Sequence, residues 1–174
     1  MIMNATSTST ISPLRASTCN ILRNAKWAQN GVTVAGGNGY GNGINQLDRP
    51  HGLVVDDDQR IYVAGRSNNR VMERQSDAKD GKIVAGGNGQ GNGDQQFNTP
   101  FEVIVDKETD SFIISDFENR RVGRWPRRNG TCGETIISDV GCIGLTIDKQ
   151  GLLYVVEYGE HEVNDIKGVT VEEQ

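Results

Sequence analysis

The sequence predicts an all-β protein, built as part of a β-propeller from four-stranded antiparallel blades, and three observations carry that prediction. The first is an internal repeat: residues 34–39 read VAGGNG and return as residues 84–89, 50 positions later. Pro50 matches Pro100 and Asp56 matches Asp106 at the same offset; one extra residue then sets Ile61 against Phe112 and Arg70 against Arg121. A period of this size belongs to solenoids, propellers or arrays. The second is that each copy contains four short stretches of strand character, bounded by Gly, Asn, Asp or Pro. The third is composition: 22 Gly and only 6% aromatic residues mark a turn-rich β chain. No stretch of ten or more residues shows the 3.6-residue period of a helix.

The elements follow in order. Residues 1–26 are rich in Ser, Thr and Asn, lack periodicity and read as a disordered leader. Residues 27–174 hold the repeats, with blades near 50–85, 100–137 and 144–171. The first blade's strands are expected at 52–55, 60–64, 70–74 and 82–85. The second blade's are expected at 102–105, 112–115, 122–125 and 134–137, and the third's at 144–147, 152–156, 162–165 and 168–171. Copy three has lost the glycine-rich loop, which residues 138–142 replace. Four antiparallel strands at a copy length of about 40–50 residues are the signature of a propeller blade.

Strand polarity fixes which loops share a face. Successive strands reverse, so the junction into the first strand emerges on the same side as the turn between strands two and three. The glycine-rich loops with Tyr40 and Gln90, the turn with Arg66, Asn68 and Asn69, and the turn with Phe117, Asn119 and Arg120 therefore form one candidate binding face.

The copies RPHGLVVDDDQRIYVAGRSNNRV, TPFEVIVDKETDSFIISDFENRRV and GLTIDKQGLLYVVEYGEHEV resemble NHL repeats. The family pattern opens strand one with Pro and Gly, continues through an Asp-Gly turn to Tyr-Val-Ala-Asp, and closes with Asn-His-Arg and a hydrophobic residue. The resemblance covers roughly residues 27–171 and implies a propeller that usually has six blades. About three are present, so the sequence reads as a fragment or truncated gene model, with self-association of half-rings through open blade edges as the alternative. The departures are informative: Gly65, Asp116 and Glu157 stand where the family has Asp, and only copy two keeps both Asp and Arg. An ion pair is therefore expected between Asp116 and Arg121.

Each candidate chemistry has a structural rival. The loop GGNGYGNG lacks the Lys-Ser/Thr ending of a P-loop and gives no G-x-G-x-x-G register; its glycines and asparagines suit positive φ at a blade junction. His51 opens an innermost strand near the channel, where related amidating lyases carry a zinc-ligand histidine. A catalytic zinc needs three protein ligands, and the other blades offer Phe101 and Gly144 at matching positions, so His51 alone supports the metal-dependent lyase or hydrolase alternative. Asp56, Asp57, Asp58 and Asp106 fall at turns, which Asp favours by bonding its own backbone. No cofactor is implied, and no catalytic set is assigned.

The charge is −5 overall, and residues 131–174 hold 2 basic and 9 acidic groups, which opposes a nucleic-acid partner. Arg120, Arg121, Arg124, Arg127 and Arg128 are a local exception and carry the alternative of single-stranded RNA binding. Cys132 and Cys142 lie ten apart and suit a disulfide across neighbouring strands, while Cys19 lies outside the repeats. Sequons at Asn4 and Asn129 favour a secreted or luminal chain truncated at its N-terminus; the lack of a signal pattern in residues 1–30 favours the cytoplasm. No run approaches the roughly 20 apolar residues of a membrane-spanning helix. The leading expectation is a non-catalytic scaffold that binds a protein through the glycine-rich face.

Overall fold

A computed structural model describes residues 24–26, 28–75, 78 and 80–166. Residues 1–23, with Asn4, Cys19 and nearly all of the expected leader, and residues 167–174, with the expected last strand, lie outside the described residues. One compact unit begins at Val32 and holds three antiparallel sheets. Blade 1 consists of β1 (Pro50–Val55), β2 (Ile61–Gly65), β3 (Arg70–Arg74) and β4 (Lys82–Gly86). Blade 2 consists of β5 (Pro100–Asp106), β6 (Ser111–Asp116), β7 (Arg121–Pro126) and β8 (Glu134–Ser138). Blade 3 shows β9 (Cys142–Ile147), β10 (Leu153–Glu157) and β11 (Glu162–Ile166) among the described residues. Every described strand overlaps its expected position, and no α-helix occurs among the described residues; a single 3₁₀ turn, Phe117–Asn119, was not expected.

The strands run in sequence order across each sheet, and β1, β5 and β9 lie side by side as the innermost strands. Among the described residues these are three blades of a β-propeller. Central strands β2 and β6 bury almost every residue: β6 lies between blades 1 and 3, whereas β2 lies between blade 2 and the entry segment of Ala35, Ile44 and Leu47, which lies against Val63. Tyr62, Ala64, Val71 and Ala85 of blade 1 pack against Val103, Phe112, Ile114 and Trp125 of blade 2. Ile113 and Val122 of blade 2 pack against Cys142, Leu153 and Val155 of blade 3. Inner strands approach closely at Gly52, where a Cβ would come within 2.7 Å of the Glu102 Cα.

Three aspartates close the turns after the inner strands in the same way. Asp56 Oδ1 accepts from the backbone N–H groups of Asp58 (3.0 Å) and Arg60 (2.9 Å). Asp106 Oδ1 accepts from Glu108 N–H (3.0 Å), and Asp148 Oδ1 from Gln150 (2.8 Å) and Leu152 (2.9 Å). A short side-chain acceptor bonding its own turn is why Asp recurs here.

The expected disulfide is corrected. Cys132 and Cys142 are free thiols, the first exposed and the second buried. Cys132 precedes β8 and Cys142 follows it, so the whole five-residue strand separates them. At about 3.3 Å rise per residue they stand at opposite ends of the blade, beyond the reach of a disulfide.

Candidate binding face

The structure gathers the eight expected face residues at one end of the blades. Backbone bonds tie the β2–β3 turn to the entry of β1, with Arg66 N–H donating to the Arg49 carbonyl (3.2 Å), and Phe117 N–H repeats this on Thr99 (3.3 Å). Each glycine-rich loop is then clamped by an arginine of the blade it enters. Arg70 donates to the carbonyls of Asn42 (2.7 Å), Gly43 (2.8 Å) and Gln46 (3.2 Å). Arg121 donates to Asn92 (2.9 Å), Gly93 (3.0 Å) and Gln96 (2.8 Å), the same three positions one repeat later. Within the loops Gln46 bonds Gly43 N–H and the Asn38 carbonyl, and Gln96 bonds the Asn88 carbonyl. A Cβ at Gly41 or Gly91 would collide with these glutamines, so the glycines serve loop closure.

This clamping sorts the expected residues. Asn68 Nδ2 donates to the Gly41 carbonyl (3.1 Å) and Asn119 Nδ2 to the Gly91 carbonyl (2.8 Å). Asn69 Oδ1 accepts from Thr99 N–H (2.9 Å), which links blade 1 to the next junction, and Gln90 donates to Asn98 Oδ1 (2.8 Å). These four side chains hold the loops. Of the other four, Tyr40, 85% exposed, and Arg120 reach solvent, and Arg66 and Phe117 are half-buried.

Three aromatic residues that sequence reasoning left out of the face complete it. His51 meets Phe101 edge-on at 4.5 Å between ring centroids, Phe101 meets Phe117 at 5.1 Å, and Phe117 meets Tyr158 at 6.2 Å. The Arg66 guanidinium lies over the Phe101 ring at 4.9 Å. A row of four rings thus crosses blades 1, 2 and 3. The available signal was positional: His51 and Phe101 each follow the proline that opens an inner strand, and Phe117 and Tyr158 each follow the acidic residue that ends a second strand.

His51 therefore has a ring as its neighbour, and among the described residues no three His, Cys, Asp or Glu side chains converge to hold a metal. Strand pairing also places Ile143, not Gly144, at the position matching Phe101, since Cys142 pairs with Glu157 as Pro100 pairs with Asp116. Glu102, beside His51 on β5, has its carboxyl raised above the usual carboxylate range by burial.

The arginine cluster is spent on carboxylates. Arg120 pairs with Asp139 (3.0 Å), Arg121 with Asp116 (2.7 Å), Arg124 with Glu134 (3.3 Å), Arg127 with Asp56 (2.7 Å) and Arg128 with Asp110 (3.1 Å). The expected Asp116–Arg121 pair is present, and Asp116 is fully buried. Burial raises its carboxyl against the lowering effect of Asn119, Asn98 N–H and Arg121. The five arginines also point to different ends of the blade, so no concentrated cationic patch forms.

The opposite face holds a cleft of about 650 Å³ between blades 1 and 2. Within it Arg127 pairs with Asp56 and Lys107 with Asp57 (2.9 Å). Exposed Asn129 borders it, so a glycan on that sequon would sit away from the aromatic row.

The NHL repeat family matches residues 47–71, which span the entry to β1 through the start of β3. No curated protein sequence matches the chain significantly. Among solved structures, a streptogramin B lyase is similar at 15% identity and TM-score 0.45, over 70% of this chain and 41% of the lyase. The virginiamycin B lyase of Staphylococcus aureus is similar at 13% identity and TM-score 0.48, over 74% and 44%. A PQQ-bound aldose sugar dehydrogenase of Streptomyces coelicolor is similar at 13% identity and TM-score 0.48, over 71% and 39%. The chain spans less than half the length of each of these proteins. Among the described residues no helix is long and apolar enough to cross a membrane.

Proposed function

We propose that this NHL-type propeller segment is a non-catalytic scaffold that binds a protein through the face carrying the glycine-rich loops. The supporting observation is the row His51, Phe101, Phe117 and Tyr158, which joins three blades into one surface with Arg66 stacked on Phe101. Aromatic and arginine side chains are over-represented among the anchors that contribute most to protein interfaces. The clamped loops beneath them are already ordered, so binding does not have to order them. The occupant this chemistry suits is a polypeptide segment offering an apolar side chain to the rings and a carboxylate to Arg66.

Selection of a random displayed-peptide library on the full chain tests this reading. Enriched peptides should lose about tenfold or more in affinity on Phe117→Ala and Tyr158→Ala, the loss expected when an interface anchor is truncated. They should bind unchanged to Lys107→Ala on the opposite face. Peptides that bind the two aromatic variants as tightly as the native chain would refute the assignment of the face.

A further inference from the structure

Blades 1 and 2 repeat one polar arrangement with a single component exchanged. In blade 2 the Asp116 carboxylate accepts from Asn98 N–H (2.7 Å), from Asn119 Nδ2 (2.7 Å) and from Arg121 Nε (2.7 Å). Asp116 is the strand partner of Arg121, and Gly65 is the strand partner of Arg70 in the same register. Blade 1 keeps the donors at matching positions, Asp48 N–H, Asn68 Nδ2 and Arg70 Nε, but residue 65 has no side chain to accept from them.

Two buried atoms register the loss. Arg70 is 3% exposed and its Nε has no hydrogen-bond partner; Asn68 Oδ1, also buried, has none either. Asn68 Oδ1 has turned into the space a side chain on residue 65 would take. Arg70 therefore meets only neutral carbonyls of the glycine-rich loop, where Arg121 meets the same carbonyls and a carboxylate. A guanidinium held in such a site lacks the charge that would offset its desolvation. Burial accordingly lowers the Arg70 pKa.

We propose that blade 1 binds a small monovalent carboxylate at Gly65, in the position that the Asp116 carboxylate takes in blade 2. Asn68 turns to the pose of Asn119, where one Nδ2 serves both the Gly91 carbonyl and the carboxylate. The anion accepts from Arg70 Nε and Asn68 Nδ2, and both unpartnered atoms are relieved, since Asn68 Oδ1 swings outward. The ligand is a one-carbon or similarly compact carboxylate, because the group it replaces is the side-chain end of an aspartate.

Thermal melting of the full chain in sodium formate, at ionic strength held constant with the bulkier methanesulfonate, tests this. Formate should raise the native Tm by about 3 °C at ~100 mM if its Kd is on the order of 10 mM. Gly65→Asp supplies the carboxylate covalently; it should melt higher than the native chain without formate and show no further shift with it. Arg70→Met removes the cation and should also abolish the shift, and it decides the matter alone if Gly65→Asp does not fold. An absent formate shift in the native chain, or an equal shift in both variants, overturns the proposal. Since the peptide-binding face is not read in this experiment, its outcome is independent of the functional assignment above.

Discussion

At Cys142 the thiol is wholly buried where β9 begins, and the Ser115 hydroxyl donates to the Cys142 carbonyl at 2.6 Å. Burial pushes the thiol pKa from an ordinary 9.0 up to about 11. The folded protein thus holds this proton more tightly than the unfolded chain. The contribution to stability is complete below about pH 9 and is lost as pH rises through 11, because only the unfolded chain releases the proton across that window. Two pH units correspond to about 2–3 kcal/mol. Urea denaturation at pH 8 and pH 11 should show a fall of that size in the native chain and a smaller one in Cys142→Ala. Equal falls would mean that Cys142 does not carry the effect. In the folded protein at pH 8, mass-mapped alkylation should label exposed Cys132 promptly and leave Cys142 unmodified. The pairing expected for these two residues failed because sequence separation says nothing of strand direction: ten residues out and along one strand end far from where they began.

At the scale of the element, the turn between second and third strands carries its full polar set in blade 2. Asp116, Asn119 and Arg121 form a closed set in which one buried carboxylate satisfies a backbone N–H, an amide and a guanidinium. Asp116→Ala leaves all three donors in place without their acceptor, and breaking a buried pair from one side costs about 3–5 kcal/mol. Chemical denaturation should show a loss of that order, whereas Glu134→Ala, which breaks the exposed pair with Arg124, should change stability by no more than about 0.5 kcal/mol. Comparable losses in the two variants would contradict the ranking by burial. This pair was legible in advance because both partners sit in a recognisable repeat. The fate of Asn68, Asn69 and Asn119 was not, since their acceptors and donors lie in the glycine-rich loops roughly 30 residues away and become neighbours only when the blade closes.

Across the whole molecule, the strands were readable because Gly, Asn, Asp and Pro punctuate them, while the aromatic row was not, because its rings come from three blades and converge only when these stand side by side. Blade-to-blade chemistry shows the same dependence. Tyr62 of blade 1 donates to Asp56 Oδ2 (3.0 Å) and accepts from Arg127 of blade 2 (3.1 Å), whose guanidinium also pairs with Asp56 and lies over the Tyr62 and Phe112 rings. Blade 3 repeats the first half of this lock: Tyr154 donates to Asp148 Oδ2 at 3.3 Å. The two sites differ in cover. Tyr62 is 1% exposed beneath blade 2, whereas Tyr154 is half-buried on a face where Val156 and Val163 also reach solvent. Removing the hydroxyl should therefore matter only where a second blade closes over it. Tyr62→Phe strips a buried guanidinium and a buried carboxylate of one partner each and should cost about 1–2 kcal/mol in urea denaturation. Tyr154→Phe removes one long bond that water replaces, and should cost less than about 0.5 kcal/mol. If Tyr154→Phe proved as costly as Tyr62→Phe, the hydroxyl would act within its own blade, and the role assigned to Arg127 as the bridge between blades 1 and 2 would fall with that result.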